Sequence, residues 1–402
     1  MTNIKKISLE DLINYLFVVY AFIIPISRAG VSFFTAVLFV LWLFSDNFKN
    51  KLLFLKSDKT SLYIVAFIAF SILSLLWSQN VLSGLDYIRR YWYLFILLVI
   101  ASTMQKKFIE YAVSAFLASM LISEIISYGV FFEIWSFKRA TVEFPNPFMN
   151  HIQYSMFLAF TSLLLLSKIF YEEHIKLKLL YGVFFLTTTA NLFLNSGRTG
   201  QAAFIVSIFL VGFLNIKNRV LAFFSILILV ATLSFAAYQI SPNFNSRVQS
   251  GISDINKIID EKKYCTSFGL RVGAWIIASE IIADNPILGI GTTSEMDALK
   301  EYISKNHQDM ECVKEMPSYH NFYIQTAVDL GIVGLFLYVM IFYSLLRLKI
   351  RNRFYFNLAI IFIAVYSFSS LVENMFHAQI PMAFFALFGG IFIAWQRIEN
   401  EV

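Results

Sequence analysis

The sequence has few charged residues. Asp, Glu, Lys and Arg make up 14% of its 402 residues, whereas they make up about 25% of an average soluble domain. Hydrophobic residues account for 58%, and the mean hydropathy is +0.68. A soluble globular domain is therefore excluded, and the composition predicts an integral membrane protein.

The motifs of several enzyme classes are also absent. The chain has five histidines and two cysteines but no HExxH, CxxC or DxD pattern, so we expect no metal site. It has neither a GxSxG elbow nor a Walker loop, which argues against a serine hydrolase and a nucleotide-driven pump. We expect no cofactor. The net charge of +6 is mostly a signal of membrane topology, and we expect no nucleic-acid partner.

Long apolar runs fill most of the chain. A spanning helix needs about 20 apolar residues, and this template gives twelve candidate spans: 12–27, 31–45, 61–77, 91–104, 108–131, 152–168, 177–194, 200–215, 219–239, 322–346, 354–371 and 378–396. The runs are continuous, which argues against a β-barrel. We predict an all-α integral membrane protein with about twelve transmembrane helices. Nine lie in residues 1–239 and three in 321–402, on either side of a polar loop at 240–320.

The distribution of lysine and arginine predicts the orientation of these spans. Basic residues are concentrated at one set of helix ends, starting with Lys5 and Lys6, and such ends stay in the cytoplasm. The short connections at the opposite ends carry only Arg28, Arg89, Arg90, Lys138, Arg139 and Arg198. Both termini are therefore expected in the cytoplasm, and the 240–320 loop outside it. No small-residue cleavage site follows the first span, so we expect that span to remain as a helix.

The external loop has the pattern of an ordered cap. Residues 271–285 carry apolar residues at helical spacing and precede Pro286, and residues 296–306 could form a second, polar helix. Cys265 and Cys312 both lie in this loop, and an oxidising compartment favours a disulfide between them. Such a bond would constrain the unfolded loop by roughly 4 kcal/mol. Two free thiols remain the alternative.

Three polar residues near the external ends of spans are candidates for function, because ionisable groups beside membrane helices are costly. Arg198 lies in a Ser-Gly-Arg-Thr-Gly turn suited to an anion, although it could equally reach out to lipid headgroups. Arg271 opens the predicted loop helix and could hold an anion or be a solvated helix-start residue. His320 could accept a proton near neutral pH or cap and pack the next helix.

Other residues in the same region are weaker candidates. Arg139 could contact a substrate, and His151 is more simply an interfacial packing residue. Asp329 lies two and a half helical turns after His320, too far to orient the imidazole directly, so we assign it no catalytic role. Gly331 and Gly334 are interpreted as close-packing positions in a membrane helix.

The motifs around these residues resemble those of a known family. His320 and Asn321 are followed by nine residues, 322–330, and then by Gly331 and Gly334. This spacing is similar to that of the O-antigen ligase and polymerase superfamily of bacterial envelope enzymes. The turn around Arg198 and the segment after Arg271 are also similar to family segments that carry important arginines.

The resemblance implies a GT-C-like glycosyltransferase that acts at the periplasmic face of a bacterial inner membrane. Its partners would be membrane lipids, a glycan linked to undecaprenyl diphosphate as donor, and the lipid A core oligosaccharide as acceptor. His320 would be the catalytic base, and Arg198 and Arg271 would bind the diphosphate. Arg139 and Asn321 are further possible substrate contacts. The reaction would invert the anomeric carbon without a metal.

The resemblance leaves other functions open. A polymerase that joins lipid-linked repeat units would use the same mechanism as a ligase that transfers the polymer to the lipid A core. A relative that glycosylates proteins usually carries an additional external domain. A transporter is the alternative from another class, and Glu124 is its main candidate residue because it lies within a predicted span.

Overall fold

The chain is a bundle of helices in the computed structural model, which describes residues 8–240 and 242–401. Helices α1 to α17 are Leu9–Ile23, Arg28–Leu43, Phe48–Ser57, Lys59–Leu73, Val81–Arg89, Phe95–Thr103, Lys106–Phe131, His151–Tyr171, Ile175–Leu194, Arg198–Asn215, Arg219–Ile240, Pro242–Glu261, Gly269–Asp284, Glu295–Asn306, Phe322–Leu346, Arg353–Ser370 and Gln379–Glu401. Short 3₁₀ turns cover Ser74–Leu76, Arg90–Leu94, Gln308–Glu315 and Met375–His377. The described residues contain no strand, which confirms the predicted all-α class.

Eight of the described helices are long and apolar enough to cross a membrane, so the chain is a multi-pass membrane protein. They are Lys59–Leu76, Lys106–Phe131, His151–Tyr171, Ile175–Leu194, Arg198–Asn215, Phe322–Leu346, Arg353–Ser370 and Gln379–Glu401. A ninth would be α2 with α3, which meet at a bend of 109°. The remaining predicted spans fall on α1, on α6 with the turn before it, and on α11.

The helix ends lie at two opposite faces of the bundle. At one face Lys51 Nζ lies 2.8 Å from Glu10 Oε1, and Arg397 Nη2 donates to the Met104 carbonyl at 2.6 Å. All four residues line one cleft. The start of the first described helix, α1, and the end of the last, α17, therefore lie at the same face. We call this the terminal face. Lys5 and Lys6 lie outside the described residues.

The opposite face, called the loop face, carries the connections α1–α2, α4–α6, α7–α8, α9–α10 and α16–α17, as well as the long segment between α11 and α15. The most buried helix between the two faces is α17, in which every residue from Ile380 to Trp395 is buried. Gly389 and Gly390 let its backbone approach Leu97 and Ile100 of α6.

The loop between α12 and α15 forms its own small core. Ala274, Ile277 and Ile281 of α13 are fully buried against Leu299 and Ile303 of α14. These helices coincide with the two that the sequence predicts. A disulfide joins Cys265 to Cys312, with their Cα atoms 5.8 Å apart. The loop is therefore ordered by apolar packing together with a covalent link.

Two sets of contacts dock this loop onto the membrane helices. The first is at the end of α4, where Ser74 Oγ and Thr292 Oγ1 lie 2.7 Å apart and the Ser78 hydroxyl donates to the Thr292 carbonyl at 2.8 Å. The second is a strap, residues 286–291, which runs beside α15. The loop is thus held at two points.

The strap fits into a break in α15. Gly331 has φ +63° and ψ −162°, which interrupts the helix and leaves backbone groups on both sides without helical partners. The strap replaces them, because the Ile332 amide donates to the Pro286 carbonyl at 2.9 Å and the Ile290 amide to the Val328 carbonyl at 3.0 Å. The interpretation of Gly331 as a site of contact between membrane helices is corrected, because the backbone that approaches it belongs to the loop.

We expect Gly331→Ala to destabilise the protein by about 1–3 kcal/mol, because an L residue is strained at this φ and its Cβ would collide with the Ile287 carbonyl. The measurement is the thermal unfolding midpoint of the detergent-purified protein. Gly182→Ala in α9 is the matched control, since a Cβ at Gly182 meets no atom within 4 Å. Equal midpoints for the two variants would contradict the role given to the break.

Candidate active site

His320 occupies a constrained position just before α15. Its φ is +48°, a left-handed conformation that is uncommon for a residue with a side chain. The preceding residue is held in place by Trp275 of α13, whose Nε1 donates to the Tyr319 carbonyl at 2.8 Å. The buried Tyr319 side chain also donates from its hydroxyl to the Glu295 carbonyl at 3.3 Å. The loop helices therefore set the backbone from which the imidazole projects.

Asn321 is the N-cap of α15. Its Oδ1 accepts from the amides of Tyr323 at 3.0 Å and Ile324 at 3.1 Å, two of the amides that lack a partner at the start of a helix. The side chain is nearly buried, at 7% exposure. The structure thus gives Asn321 a capping role at the start of α15.

The imidazole of His320 pairs with a carboxylate that the sequence analysis did not single out. Nδ1 lies 3.0 Å from Oε2 of Glu373, in the connection between α16 and α17. The His320 side chain is 21% exposed and that of Glu373 is 17% exposed, so the pair lies at the edge of the protein rather than in its core. The other oxygen of Glu373 accepts from the Asn374 amide at 3.0 Å.

Arg271 supplies a positive charge to the same carboxylate. It lies in the first turn of α13 and is partly buried. Burial alone would raise the pKa of Glu373, but the bonds from His320 and Asn374 and the charge of Arg271 hold it below its usual value. Burial lowers the pKa of Arg271, and the charge of Glu373 opposes that shift. His320, Glu373 and Arg271 thus form one electrostatic unit.

This arrangement suits proton transfer. When Nδ1 carries a proton and donates a hydrogen bond to Glu373, Nε2 has no proton and can act as a base. A carboxylate on Nδ1 also stabilises the imidazolium that forms when Nε2 accepts a proton, as in hydrolase triads. The site therefore offers a general base beside a guanidinium.

Arg198 lies at the same face of the bundle. It is the first residue of α10, which packs against α16. Arg353 at the start of α16 donates to the carbonyl of Leu214 near the end of α10, at 3.1 Å, so the two helices are antiparallel. Each has 18 residues, and Arg198 therefore lies at the end of the pair from which the chain continues to Glu373.

The turn that carries Arg198 is fixed against α8. The Gly200 amide donates to Ser155 Oγ at 3.0 Å, and the Ser196 hydroxyl donates to the Glu143 carbonyl at 3.1 Å. A Cβ at Gly200 would collide with the backbone of Ser155. The two glycines of the motif therefore serve close packing here, and the exposed side chain of Arg198 extends from a fixed turn.

The weaker candidates come from the α7–α8 connection and the start of α8. Arg139 is exposed in the connection between α7 and α8. His151 is the first residue of α8, and its ring centroid lies 4.5 Å from that of Phe144. Within residues 8–240 and 242–401, no group of three or more His, Cys, Asp or Glu side chains could hold a metal ion.

Asp329 belongs to a second polar cluster beneath the site. Its Oδ2 accepts from Gln325 Nε2 at 3.0 Å, and Gln325 Oε1 accepts from Asn374 at 3.4 Å. The Asp329 carbonyl accepts from the Gly291 amide of the strap at 2.9 Å, and burial raises the pKa of the nearby Glu295 carboxyl. Asp329 is therefore tied to the loop, and the carboxylate that orients His320 is Glu373.

One sequence signal could have identified Glu373. It is the only ionisable residue in the run SFSSLVENMF, which joins two predicted spans at the face assigned to His320. Ionisable groups at such positions are candidates for function. The pairing itself joins residues 53 positions apart, and no local pattern encodes that contact.

Comparison with known proteins supports the reading of these motifs. Residues 183–339, which include Arg198, Arg271 and His320, match the family model described as O-antigen ligase. This match confirms the predicted resemblance to the O-antigen ligase superfamily. An uncharacterized protein from Haemophilus influenzae is 24% identical over 341 residues, 82% of either chain.

We expect Glu295→Gln to stabilise the protein at neutral pH by roughly 1–2 kcal/mol, which is about 2–6 °C in the unfolding midpoint. The raised pKa means that the folded state binds this proton more tightly than the unfolded state. The contribution of Glu295 to stability is therefore present at low pH and declines as the pH rises above its usual value of 4.5. A glutamine carries no charge and can donate to the Asp329 oxygen that has no partner.

The measurement is thermal unfolding of wild type and variant from pH 5 to pH 8. Glu301→Gln, exposed on the same helix, is the control and should leave the pH dependence unchanged. A lower midpoint for Glu295→Gln across the whole range would show that the charged form of Glu295 stabilises the fold.

Proposed function

We propose that the chain is a glycosyltransferase that moves a glycan from undecaprenyl diphosphate to a sugar hydroxyl of the lipid A core, the reaction of an O-antigen ligase. The observation that carries the proposal is the contact of His320 with Glu373, next to Arg271, in a chain of the O-antigen ligase superfamily. This reaction needs a base, because the acceptor hydroxyl must lose a proton. It also needs a cation, because the diphosphate leaves with negative charge.

In the proposed mechanism, Nε2 of His320 accepts the proton of the acceptor hydroxyl. The oxygen attacks the anomeric carbon of the donor, and the bond from that carbon to the diphosphate breaks, so that its electron pair leaves with undecaprenyl diphosphate. The attack and departure occur on opposite sides of the carbon, and the configuration is inverted. Before the step, Glu373 accepts a hydrogen bond from Nδ1 and so fixes the tautomer of His320. After the step, its negative charge stabilises the imidazolium.

Arg271 and Arg198 would stabilise the departing diphosphate. Guanidinium groups bind phosphate oxygens in a bidentate manner and remain charged at all relevant pH values. Arg271 already lies in the field of Glu373, and Arg198 projects from a fixed turn at the same face. Positive charge placed where negative charge develops lowers the barrier. Arg139, exposed at this face, is a further proposed contact for the glycan.

We further propose that the loop face is periplasmic and that the chain crosses the inner membrane twelve times, with both termini in the cytoplasm. The meeting of the first and last described helices at the terminal face supports an even number of crossings. A transporter is less well supported. Glu124 accepts from the Thr188 hydroxyl at 2.7 Å, and the neighbouring Ser123 accepts from Asn146 of the α7–α8 connection at 2.8 Å. Glu124 is thus tied into a polar cluster under the loop face.

We expect His320→Ala to abolish transfer of the polymer, because loss of a general base costs about 10²–10⁴-fold in rate. The measurement is the lipopolysaccharide gel profile of a deletion strain complemented with each variant, with blotting for lipid-linked glycan. Lipid A core without polymer, together with long chains on the carrier, supports a ligase. Accumulation of single repeat units would indicate a polymerase instead.

His174→Ala is the matched control, since that histidine is exposed on the α8–α9 connection at the terminal face. It should leave the profile unchanged. Membrane levels of both variants are compared by immunoblot. A wild-type profile with His320→Ala would remove the imidazole from the mechanism.

We expect Glu373→Gln to reduce transfer by roughly 10²-fold or more while the protein stays folded, because an amide can neither fix the Nδ1 proton nor face the imidazolium as an anion. The corresponding carboxylate in a serine protease triad is worth about 10⁴-fold. Transfer is timed with purified protein, lipid-linked donor and core acceptor. Glu173→Gln, exposed on the α8–α9 connection at the terminal face, is the control. Full activity in Glu373→Gln would assign the carboxylate to structure alone.

A further inference from the structure

Three of the five arginines on the short connections of the loop face lie together. Arg28, Arg89 and Arg90 all line one cavity of about 360 Å³. This volume is near the lower end of the range for ligand pockets, about 300–1,000 Å³. The rest of the lining is formed by Tyr93, Gln153, His377, Ala378, Gln379 and Ile380. Among the described residues, none with an acidic side chain lines the cavity.

The cavity carries a surplus of positive charge. Asp86 lies 2.7 Å from Arg89 and 3.4 Å from Arg90, and it is shared between them. No described carboxylate forms an ion pair with Arg28. Three arginines against one aspartate leave two positive charges. Guanidinium groups are the side chains best shaped to bind phosphate.

Two helix N-termini meet at the same place. Arg28 is the first residue of α2 and Gln379 the first of α17. Gln379 Nε2 joins them by donating to the Arg28 carbonyl at 2.7 Å and to Ser32 Oγ at 2.9 Å. The N-terminus of a helix carries a partial positive charge and amides without helical partners. Both features favour an anion in the cavity.

His377 adds a neutral polar group to the lining. Burial lowers its pKa to about 4, with a further contribution from the charge of Arg90, so the imidazole is uncharged at neutral pH. Its ring stacks on Tyr87 with centroids 3.8 Å apart. Nε2 is buried and has no hydrogen-bond partner. A buried polar atom without a partner at a cavity is suited to a ligand that completes it.

The cavity and the His320–Glu373 pair share one stretch of chain. Glu373 and His377 both lie in the connection between α16 and α17. The acceptor hydroxyl has to reach His320, whereas the diphosphate of the donor is assigned above to Arg198 and Arg271. An anionic group of the acceptor, held a few residues along the same connection, would present the hydroxyl to the base.

We propose that this cavity binds a phosphate group carried by the acceptor glycolipid and so positions the acceptor for transfer. The proposal rests on the proposed function for the identity of the acceptor. The cavity is a site for a phosphate monoester, distinct from the site assigned to the donor diphosphate. Two other membrane components also carry phosphate: the donor itself and anionic phospholipid. The experiment below distinguishes these two ligands from the acceptor.

The test measures binding to full-length protein in nanodiscs of zwitterionic lipid. The probes are lipid A with its core oligosaccharide, the same material after chemical dephosphorylation, and undecaprenyl diphosphate. The variants are Arg28→Gln and the double variant Arg28→Gln/Arg90→Gln, with Lys138→Gln as the control, an exposed cation of the same face outside the cavity. Arg28→Lys keeps the charge, and unfolding midpoints verify that each variant is folded.

We expect the double variant to bind the phosphorylated acceptor at least 10-fold more weakly than wild type, because it loses charge-assisted hydrogen bonds to the phosphate. Arg28→Lys should retain most of the affinity. Dephosphorylated acceptor should bind wild type and double variant equally weakly. Lys138→Gln should bind all probes as wild type does.

Three results would overturn the proposal. Equal binding of phosphorylated acceptor by wild type and the double variant would exclude a phosphate contact. A loss confined to undecaprenyl diphosphate would assign the cavity to the donor. Displacement of the acceptor by phosphatidylglycerol in the nanodisc at equal affinity would assign it to lipid headgroups. Failure of the proposed function is distinguishable, because His320→Ala would then leave the gel profile unchanged whatever the binding data show.

Discussion

The fit of the strap into the break of α15 is the contact on which the rest of the loop face depends. Backbone groups in a membrane helix need partners within the protein, because lipid provides none. At Gly331 the helical hydrogen bonds of α15 are interrupted, and residues 286–291 supply hydrogen-bond partners for the backbone groups on both sides. The same strap follows α13, which carries Arg271 and Trp275. One set of backbone hydrogen bonds therefore fixes the loop relative to the helix that begins beside His320.

A chain of polar contacts connects this strap to Glu373. The Gly291 amide of the strap donates to the Asp329 carbonyl, the Asp329 carboxylate accepts from Gln325, and Gln325 accepts from Asn374. Glu373 precedes Asn374 and accepts from its amide. Polar groups buried in this way are costly unless they are paired. The hydrogen bonds among these polar groups hold the α16–α17 connection in one position. They thereby fix Glu373 beside the imidazole of His320.

The fold was more predictable from the sequence than the site. Apolar runs and basic ends locate helices well, since burial in lipid acts on about 20 residues at once. His320 and Arg271 could be singled out from the sequence, because each lies beside a local motif, and their roles stay predictions. Glu373 was missed because its partner lies 53 positions away. Gly331 was misinterpreted because a close-packing glycine and a glycine at a helix break look alike without knowledge of φ.

Three arginines of the loop face illustrate how structure shows a relation that sequence positions hide. A lone arginine at a membrane interface can extend to lipid headgroups without further consequence. Arg28, Arg89 and Arg90 come from two different connections, yet they line one cavity between two helix N-termini. Like charges that are brought together repel each other, so their convergence is costly in the empty protein. An anion offsets that cost, so a ligand that bears one would gain binding energy in this cavity.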